Sequence, residues 1–141
     1  DDSNRKDLFL DMVRQMDMSY SYKPVLLKAV LQFADDKGRV KLSDIVTYFR
    51  EFYESRRADG LVVEKANSIY AKGGYTDAQA QRNILSNPFK RFEDMQMLQV
   101  DESVWKKLTR DEKQEIERIC DEKLEQYYSR FQATQTEGAI K

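Results

Sequence analysis

The chain has no histidine and a single cysteine, and these absences exclude several kinds of chemistry before any motif is considered. A catalytic triad that relies on histidine, a zinc site of the usual cysteine and histidine type, and an internal disulfide all need residues that are missing. We therefore expect a protein with no enzymatic activity, no metal and no cofactor.

Long apolar runs are missing as well, since no stretch approaches the roughly 18 residues that a membrane span requires. No charged start followed by an apolar segment marks a signal peptide, and a single cysteine fits a reducing compartment. These features predict a cytoplasmic protein with no role at a membrane. The chain begins at Asp1 rather than at methionine, so we expect a piece of a longer polypeptide.

The sequence also lacks an excess of one charge, because 24 Lys and Arg stand against 25 Asp and Glu. A dedicated nucleic-acid binder often has a strongly basic balance, so any surface for a polyanion must be local here. The length of 141 residues and the 40% hydrophobic share fit one domain with an ordinary core.

Apolar residues at helical spacing predict a helix over about residues 5–16, a second over 24–33 and a third along the stripe 45–53. The second is apolar on all sides and should lie at the centre of the core. Between the second and third helices, residues 39–42 alternate as in a short strand, and Ser43 is the predicted N-cap of the third helix.

Residues 61–75 show no clear period and are predicted to form an ordered connector. Thr76 and Gln79 have capping-box spacing, which predicts a helix as far as Leu85. Pro88 should kink this helix or stop and restart it. The second half would then place three apolar side chains on one side, namely Phe89, Phe92 and Met95.

Two short strands are predicted at residues 97–100 and 103–106, joined by an acidic turn into a hairpin. A second capping box at Thr109 opens a long amphipathic helix that reaches residue 131. Within it, Cys120 is predicted to be a small buried hydrophobe. Trp105 could stack on a base, but we favour a role as a core anchor.

This order of elements predicts a mainly α fold: a winged helix-turn-helix-like core with a small β-hairpin and flanking N- and C-terminal helices. One domain would span residues 1–131, followed by a flexible tail at 132–141. Its parts are an N-terminal helix and connector (1–22), the core (23–108) and a C-terminal helix (109–131). In such a core, the helix before the hairpin enters the major groove of DNA. Winged helices also dock proteins, so a protein-protein docking module remains an alternative.

Charge is distributed unevenly along the chain. Residues 65–91, here named the basic segment, contain five basic residues and only Asp77 as an acid, a net charge of +4. Residues 93–125 contain eleven acids and six bases, a net charge of −5. Phosphates would attract the first and repel the second. The alternative is that the basic segment is simply a solvated surface.

Candidate nucleic-acid contacts are the residues of the basic segment whose side chains bind bases or phosphates in known complexes. They are Lys72, Arg82, Asn83, Ser86, Asn87, Lys90 and Arg91. For Asn87 we favour a simpler role as a helix N-cap, and the arginines could pair with Glu93 and Asp94 instead.

Two stretches carry a family resemblance, Ser21-Tyr22-Lys23-Pro24-Val25-Leu26-Leu27 and the segment from Arg82 to Met95. They resemble a C-terminal accessory domain of large bacterial DEAD/DEAH-type helicases and restriction-type proteins. The chain has neither a Walker A lysine loop nor a DEAD or DEAH box. The resemblance therefore implies a non-catalytic accessory domain that binds DNA, with RNA as the alternative, beside a helicase motor in the same polypeptide, with no small-molecule substrate. Any ATPase, helicase or nuclease activity would lie in other parts of that polypeptide.

Overall fold

The computed structural model describes residues 2–86, 92–94 and 97–140, and the side chains within residues 4–86 and 97–131. These residues form mainly helices with one small antiparallel sheet, which confirms the predicted mainly α class. In chain order the elements are α1 (Asp2–Arg14), α2 (Tyr22–Phe33), β1 (Arg39–Lys41), α3 (Leu42–Ala58), α4 (Ile69–Lys72), α5 (Asp77–Leu85), β2 (Phe92–Asp94), β3 (Met97–Gln99), α6 (Glu102–Lys107) and α7 (Arg110–Ile140).

Helix α2 lies at the centre of the core, as its apolar sequence predicts. It packs against α3 on one side and α7 on the other. Val25 and Ala29 are fully buried, and so are Phe49 and Tyr53 on the facing stripe of α3. Cys120 and its neighbours on α7 close the opposite side of α2, so the predicted burial of Cys120 is confirmed.

The sheet has three strands in the order β1-β3-β2, and both pairs are antiparallel. Val40 of β1 stands opposite Leu98 of β3, and both side chains are buried. The strand predicted over residues 39–42 is therefore present, although Leu42 already begins α3. Ser43 is not the N-cap: that position falls on Lys41, which makes no side-chain capping bond.

The predicted hairpin is half wrong. Its first strand exists as β3, but residues 103–106 belong to helix α6, and β3 pairs with β2 instead. Asp101 caps α6, because its carboxylate accepts a hydrogen bond from the Val104 N–H at 3.1 Å. The buried residues Val104, Trp105 and Leu108 have helical spacing, and this outweighs the short alternating pattern.

The kinked helix is also wrong in its second half, since Phe92–Asp94 is strand β2. Pro88 and Phe89 lie outside the described residues.

The connector at 61–75 contains the short helix α4, which Ser68 caps by accepting from the Tyr70 N–H. Helix α7 continues to Ile140, into the segment for which the sequence predicts a tail.

The glycine turn between α2 and β1 packs against α6. Gly38 has a φ of +79°, and a Cβ atom at this position would meet the Trp105 side chain at 3.0 Å. The Gly38 carbonyl also accepts a hydrogen bond from the Val100 N–H at 2.9 Å. Trp105 is buried, as the core-anchor interpretation predicts, and the Lys113 ammonium lies 4.1 Å from the centre of its ring.

Candidate nucleic-acid interface

Helix α5 is bounded by local hydrogen bonds that its sequence encodes. The predicted capping box is confirmed: the Gln79 N–H donates to Thr76 Oγ1 at 3.1 Å, and the Thr76 N–H donates to Gln79 Oε1 at 2.8 Å. Ser86 caps the other end and donates through Oγ to the Asn83 carbonyl at 2.6 Å. The helix therefore begins and ends at defined residues.

The inner side of α5 packs against the core through Ala80 and Ile84. Gln79, Arg82 and Ser86 recur three and four residues apart and are all exposed, so they share one side of the helix. We name these three residues the outer stripe of α5.

Arg82 differs from its neighbours on the outer stripe. Gln79 and Ser86 bond to their own helix, whereas the Arg82 guanidinium makes no hydrogen bond or ion pair within the described part of the chain. Arginine always carries its charge at physiological pH and offers five donors in a fork that matches phosphate. Among the described residues, therefore, no group neutralises its charge.

The single acid of the basic segment is already neutralised. Asp77 forms an ion pair with Arg50 of α3 at 2.6 Å, and the same guanidinium lies 4.8 Å from the centre of the Tyr75 ring. The hydrogen bond from Arg50 also ties the first turn of α5 to α3. Sequence reasoning missed Arg50, because nothing along the chain indicates that it faces Asp77.

Asn83, a predicted base contact, also makes a contact within the protein. It is half-buried, and its Oδ1 accepts a hydrogen bond from the Tyr70 hydroxyl at 3.0 Å. Burial raises the pKa of Tyr70, so this hydroxyl stays protonated and donates. Asn83 therefore holds α5 against α4, and its outward-facing neighbour Arg82 is the exposed group.

The remaining candidates are distributed as follows. Lys72 is exposed at the end of α4, the helix that Tyr70 joins to α5, and has no ion pair within the described residues. Ser86 is exposed at the end of α5. Asn87, Lys90 and Arg91 lie outside the residues that the structure describes. The structure thus places Lys72, Arg82 and Ser86 on two adjoining helices at the surface.

Helix α7 also carries basic residues, and Arg118 among them differs from Arg82 in having carboxylate partners. Arg118 pairs with Glu115 at 2.6 Å and with Glu122 at 2.7 Å. Lys123 donates to the Met16 carbonyl at 3.4 Å, and Lys113 covers Trp105. Arg118 is therefore neutralised within the protein, whereas Lys113 and Lys123 are held in place without a salt bridge in the described residues, and Arg110 is exposed.

Sequence reasoning also missed a buried carboxylate, that of Glu64. Glu64 is only 4% exposed, and its Oε2 accepts from the Ser21 N–H at 2.8 Å and from Ser21 Oγ at 2.5 Å. Its Oε1 accepts from the Lys65 N–H at 2.8 Å and from the Tyr127 hydroxyl. Tyr53 completes the group with a 2.6 Å hydrogen bond to Ser21 Oγ. We name Ser21, Tyr53, Glu64 and Tyr127 the Glu64 hub.

The position of Glu64 after two valines is the one sequence signal for this burial, and it is weak. Three of the residues that surround Glu64, namely Ser21, Tyr53 and Tyr127, come from distant parts of the chain, so no local motif could reveal them. Together they fix the connector between α3 and α4 against α2 and α7.

Other functional chemistry is not evident in the described part of the molecule. Burial raises the pKa of the Cys120 thiol to about 12, which keeps it protonated and unreactive. The described residues contain no group of three or more Cys, Asp and Glu side chains placed to hold a metal ion. Within the same residues, no helix is both long and apolar enough to cross a membrane.

Comparisons with protein-family models, with curated proteins and with solved structures give no significant match to this chain.

Proposed function

We propose that this chain is a winged-helix, non-catalytic domain that binds nucleic acid through α5. The observation that carries the proposal is Arg82, an exposed cation without a partner in the described residues, on the outward side of the helix before a β-strand pair. Phosphate contacts from arginine position a protein on DNA, and a helix fits the major groove.

The order of the elements supports the same proposal. Helix α2, strand β1, helices α3 and α5 and the pair β2–β3 follow one another as in a winged helix-turn-helix domain. Strand β1 pairs with β3, so β3 is the central strand of the sheet and β2 is an edge strand. In this arrangement α5 is the recognition helix and the β2–β3 pair lies beside the phosphate backbone.

The wider setting of the proposal comes from the sequence resemblance. A domain of this kind would be an accessory part of a larger bacterial helicase or restriction-type protein. Three phosphate contacts, from Arg82, Lys90 and Arg91, give a log–log salt slope of about −2.7 on duplex DNA and weak binding on their own. Attachment to a motor would raise the effective concentration of the DNA.

The test is a salt titration of binding to a labelled duplex of about 20 base pairs, two helical turns, followed by fluorescence anisotropy. Arg82→Glu should reduce affinity strongly and make the salt slope shallower. Arg110→Glu is the matched control, because Arg110 is an exposed arginine at the start of the acidic helix α7. Binding that is lost equally in both variants, or in neither, would contradict the proposal.

A second variant tests the part of the segment that the structure does not describe. Replacing both Lys90 and Arg91 by glutamate should abolish binding, with an unchanged circular dichroism spectrum as the control for folding. Unchanged isotherms in the folded double variant would leave the proposed interface without support.

A docking role is the second candidate, and one observation favours it. Leu8 is 60% exposed and Met12 is 40% exposed, and they lie one turn apart on α1. An exposed apolar pair of this kind suits a protein partner. Binding through it would change little with salt, whereas phosphate binding weakens steeply, so the same titration separates the two functions.

A further inference from the structure

The connector between α3 and α4 carries a basic side chain that none of the candidate contacts includes. Lys65 is exposed, and its backbone N–H donates to the buried Glu64 carboxylate at 2.8 Å. Its carbonyl accepts from the Ser68 N–H at 2.9 Å. The backbone on both sides of the Lys65 side chain is therefore held in place by the Glu64 hub and by the turn that leads into α4.

The side chain of Lys65 is positioned as well. Its ammonium donates to the Ser19 carbonyl at 2.6 Å and lies 4.9 Å from the centre of the Tyr20 ring. An ammonium has three N–H donors, so two remain for another acceptor. No carboxylate among the described residues forms a salt bridge with Lys65. The charge is thus held in one place without being neutralised, which lowers the entropic cost of a new contact.

A continuous set of contacts joins this lysine to α5. Tyr20 stacks on Tyr22, with ring centres 4.9 Å apart, and the Tyr22 hydroxyl shares a 2.7 Å hydrogen bond with Ser68. Tyr22 also packs against Tyr70, whose hydroxyl holds Asn83. Lys65 is thus connected to α5 through three tyrosines, Tyr20, Tyr22 and Tyr70.

Resting on the proposed function, we infer that Lys65 is a further phosphate contact, made to the backbone of the same duplex beside α5. Arg82 reaches the duplex from the outer stripe, while Lys65 reaches the phosphates at the edge of the groove from the connector. The bound surface is then wider than α5 and the β2–β3 pair. Adding this contact to the three already proposed changes the expected log–log salt slope of the whole chain to about −3.6.

Lys65→Gln tests this inference, because glutamine removes the charge but keeps a donor for the Ser19 carbonyl. The salt slope should become shallower by about 0.9, so raising the salt from roughly 50 to 200 mM should weaken the variant about 3.5-fold less than the wild type. Lys65→Arg should restore the wild-type slope. Lys107→Gln is the matched control, since Lys107 is equally exposed but lies on α6, which packs against α1.

The two proposals fail in different ways. If the wild type binds the duplex and Arg82→Glu weakens it, but Lys65→Gln keeps the wild-type slope, the Lys65 contact is overturned and the role of α5 stands. If Lys65→Gln and Lys107→Gln shift the slope equally, the effect is one of net charge and the contact is again overturned. If the wild type shows no salt-sensitive binding, both proposals are overturned together.

Discussion

The Glu64 hub and the outer stripe of α5 are both rich in polar atoms, but they satisfy these atoms differently. In the described residues, every buried side-chain nitrogen and oxygen has a hydrogen-bond partner within the protein. The hub follows this rule with a carboxylate that four donors surround. The Arg82 guanidinium has no hydrogen-bond or ion-pair partner in the same residues. Polar groups that are satisfied internally specify shape, whereas those left exposed and unpaired are available for recognition.

Alkaline pH should destabilise the fold through its buried polar groups, and this effect should be larger than that of any single substitution below. Burial raises the pKa of seven tyrosines, among them Tyr53, Tyr70 and Tyr128. They stay protonated in the folded state, while in the unfolded state they ionise near pH 10, so stability is complete below that pH and falls above it. For the fully buried Tyr53 the loss is up to about 1.4 kcal/mol per pH unit, and it is smaller for the half-buried Tyr22 and Tyr48.

Urea unfolding measured at a series of pH values from about 8 to 11 checks this expectation. Tyrosinate absorbance should appear together with the loss of helical circular dichroism. Ionisation of most tyrosines in a protein that remains folded would contradict the buried network.

Removing a ring from the core is the next largest change. Phe49 is fully buried and packs against Tyr53 and Tyr70, so Phe49→Ala should lower the free energy of unfolding by about 3–5 kcal/mol. Leu61→Ala is the control, because Leu61 is 42% exposed and should change stability by less than about 0.5 kcal/mol. Equal losses in chemical denaturation would show that Phe49 is not a core residue.

Glu64→Gln tests the hub itself. Glutamine offers one acceptor oxygen where the carboxylate has two, so at least one buried donor loses its partner and stability should fall by about 1–3 kcal/mol. Glu51→Gln changes the same chemical group at an exposed position of α3 and should have little effect. Thermal unfolding of the two variants in parallel makes the comparison, and matching melting temperatures would remove the hub as a stabilising element.

Arg82→Ala should have the smallest effect on stability, below about 0.5 kcal/mol, because the guanidinium has no partner to lose in the described residues. Its salt slope on duplex DNA should nevertheless become shallower by about 0.9. Denaturation and anisotropy on the same preparation separate the two effects. A marked loss of stability would mean that Arg82 serves the fold rather than recognition.

The sequence predicted those parts of the fold that depend on local signals. Thr76 with Gln79 and Thr109 with Glu112 form the expected capping boxes, since each is complete within four residues. The central position of α2 followed from its apolar composition. Residues 103–106 were mispredicted because Asp101 caps a helix there, and a short alternating stretch cannot distinguish a strand from a helix turn.

The candidate site could be predicted only in part. The exposure of Lys72, Arg82 and Ser86 agrees with their polar types and their spacing. The engagement of Asn83 by Tyr70, the neutralisation of Asp77 by Arg50 and the fixation of Lys65 by Glu64 all join residues from different elements. No periodicity within one segment carries such information, so these contacts required the three-dimensional structure.

The contact between Gly38 and Trp105 has a consequence for how the chain can vary. A side chain at position 38 would strain the backbone at its positive φ and would press on the indole. Shrinking residue 105 relieves neither problem, because the atoms that the added Cβ would meet are Cβ and Cγ of Trp105, which leucine keeps, and the Val100 carbonyl oxygen at 3.3 Å. We therefore expect glycine at position 38 whichever apolar residue stands at position 105. In a double-mutant cycle, Gly38→Ala should cost a similar amount of stability in a Trp105→Leu background and in the wild type.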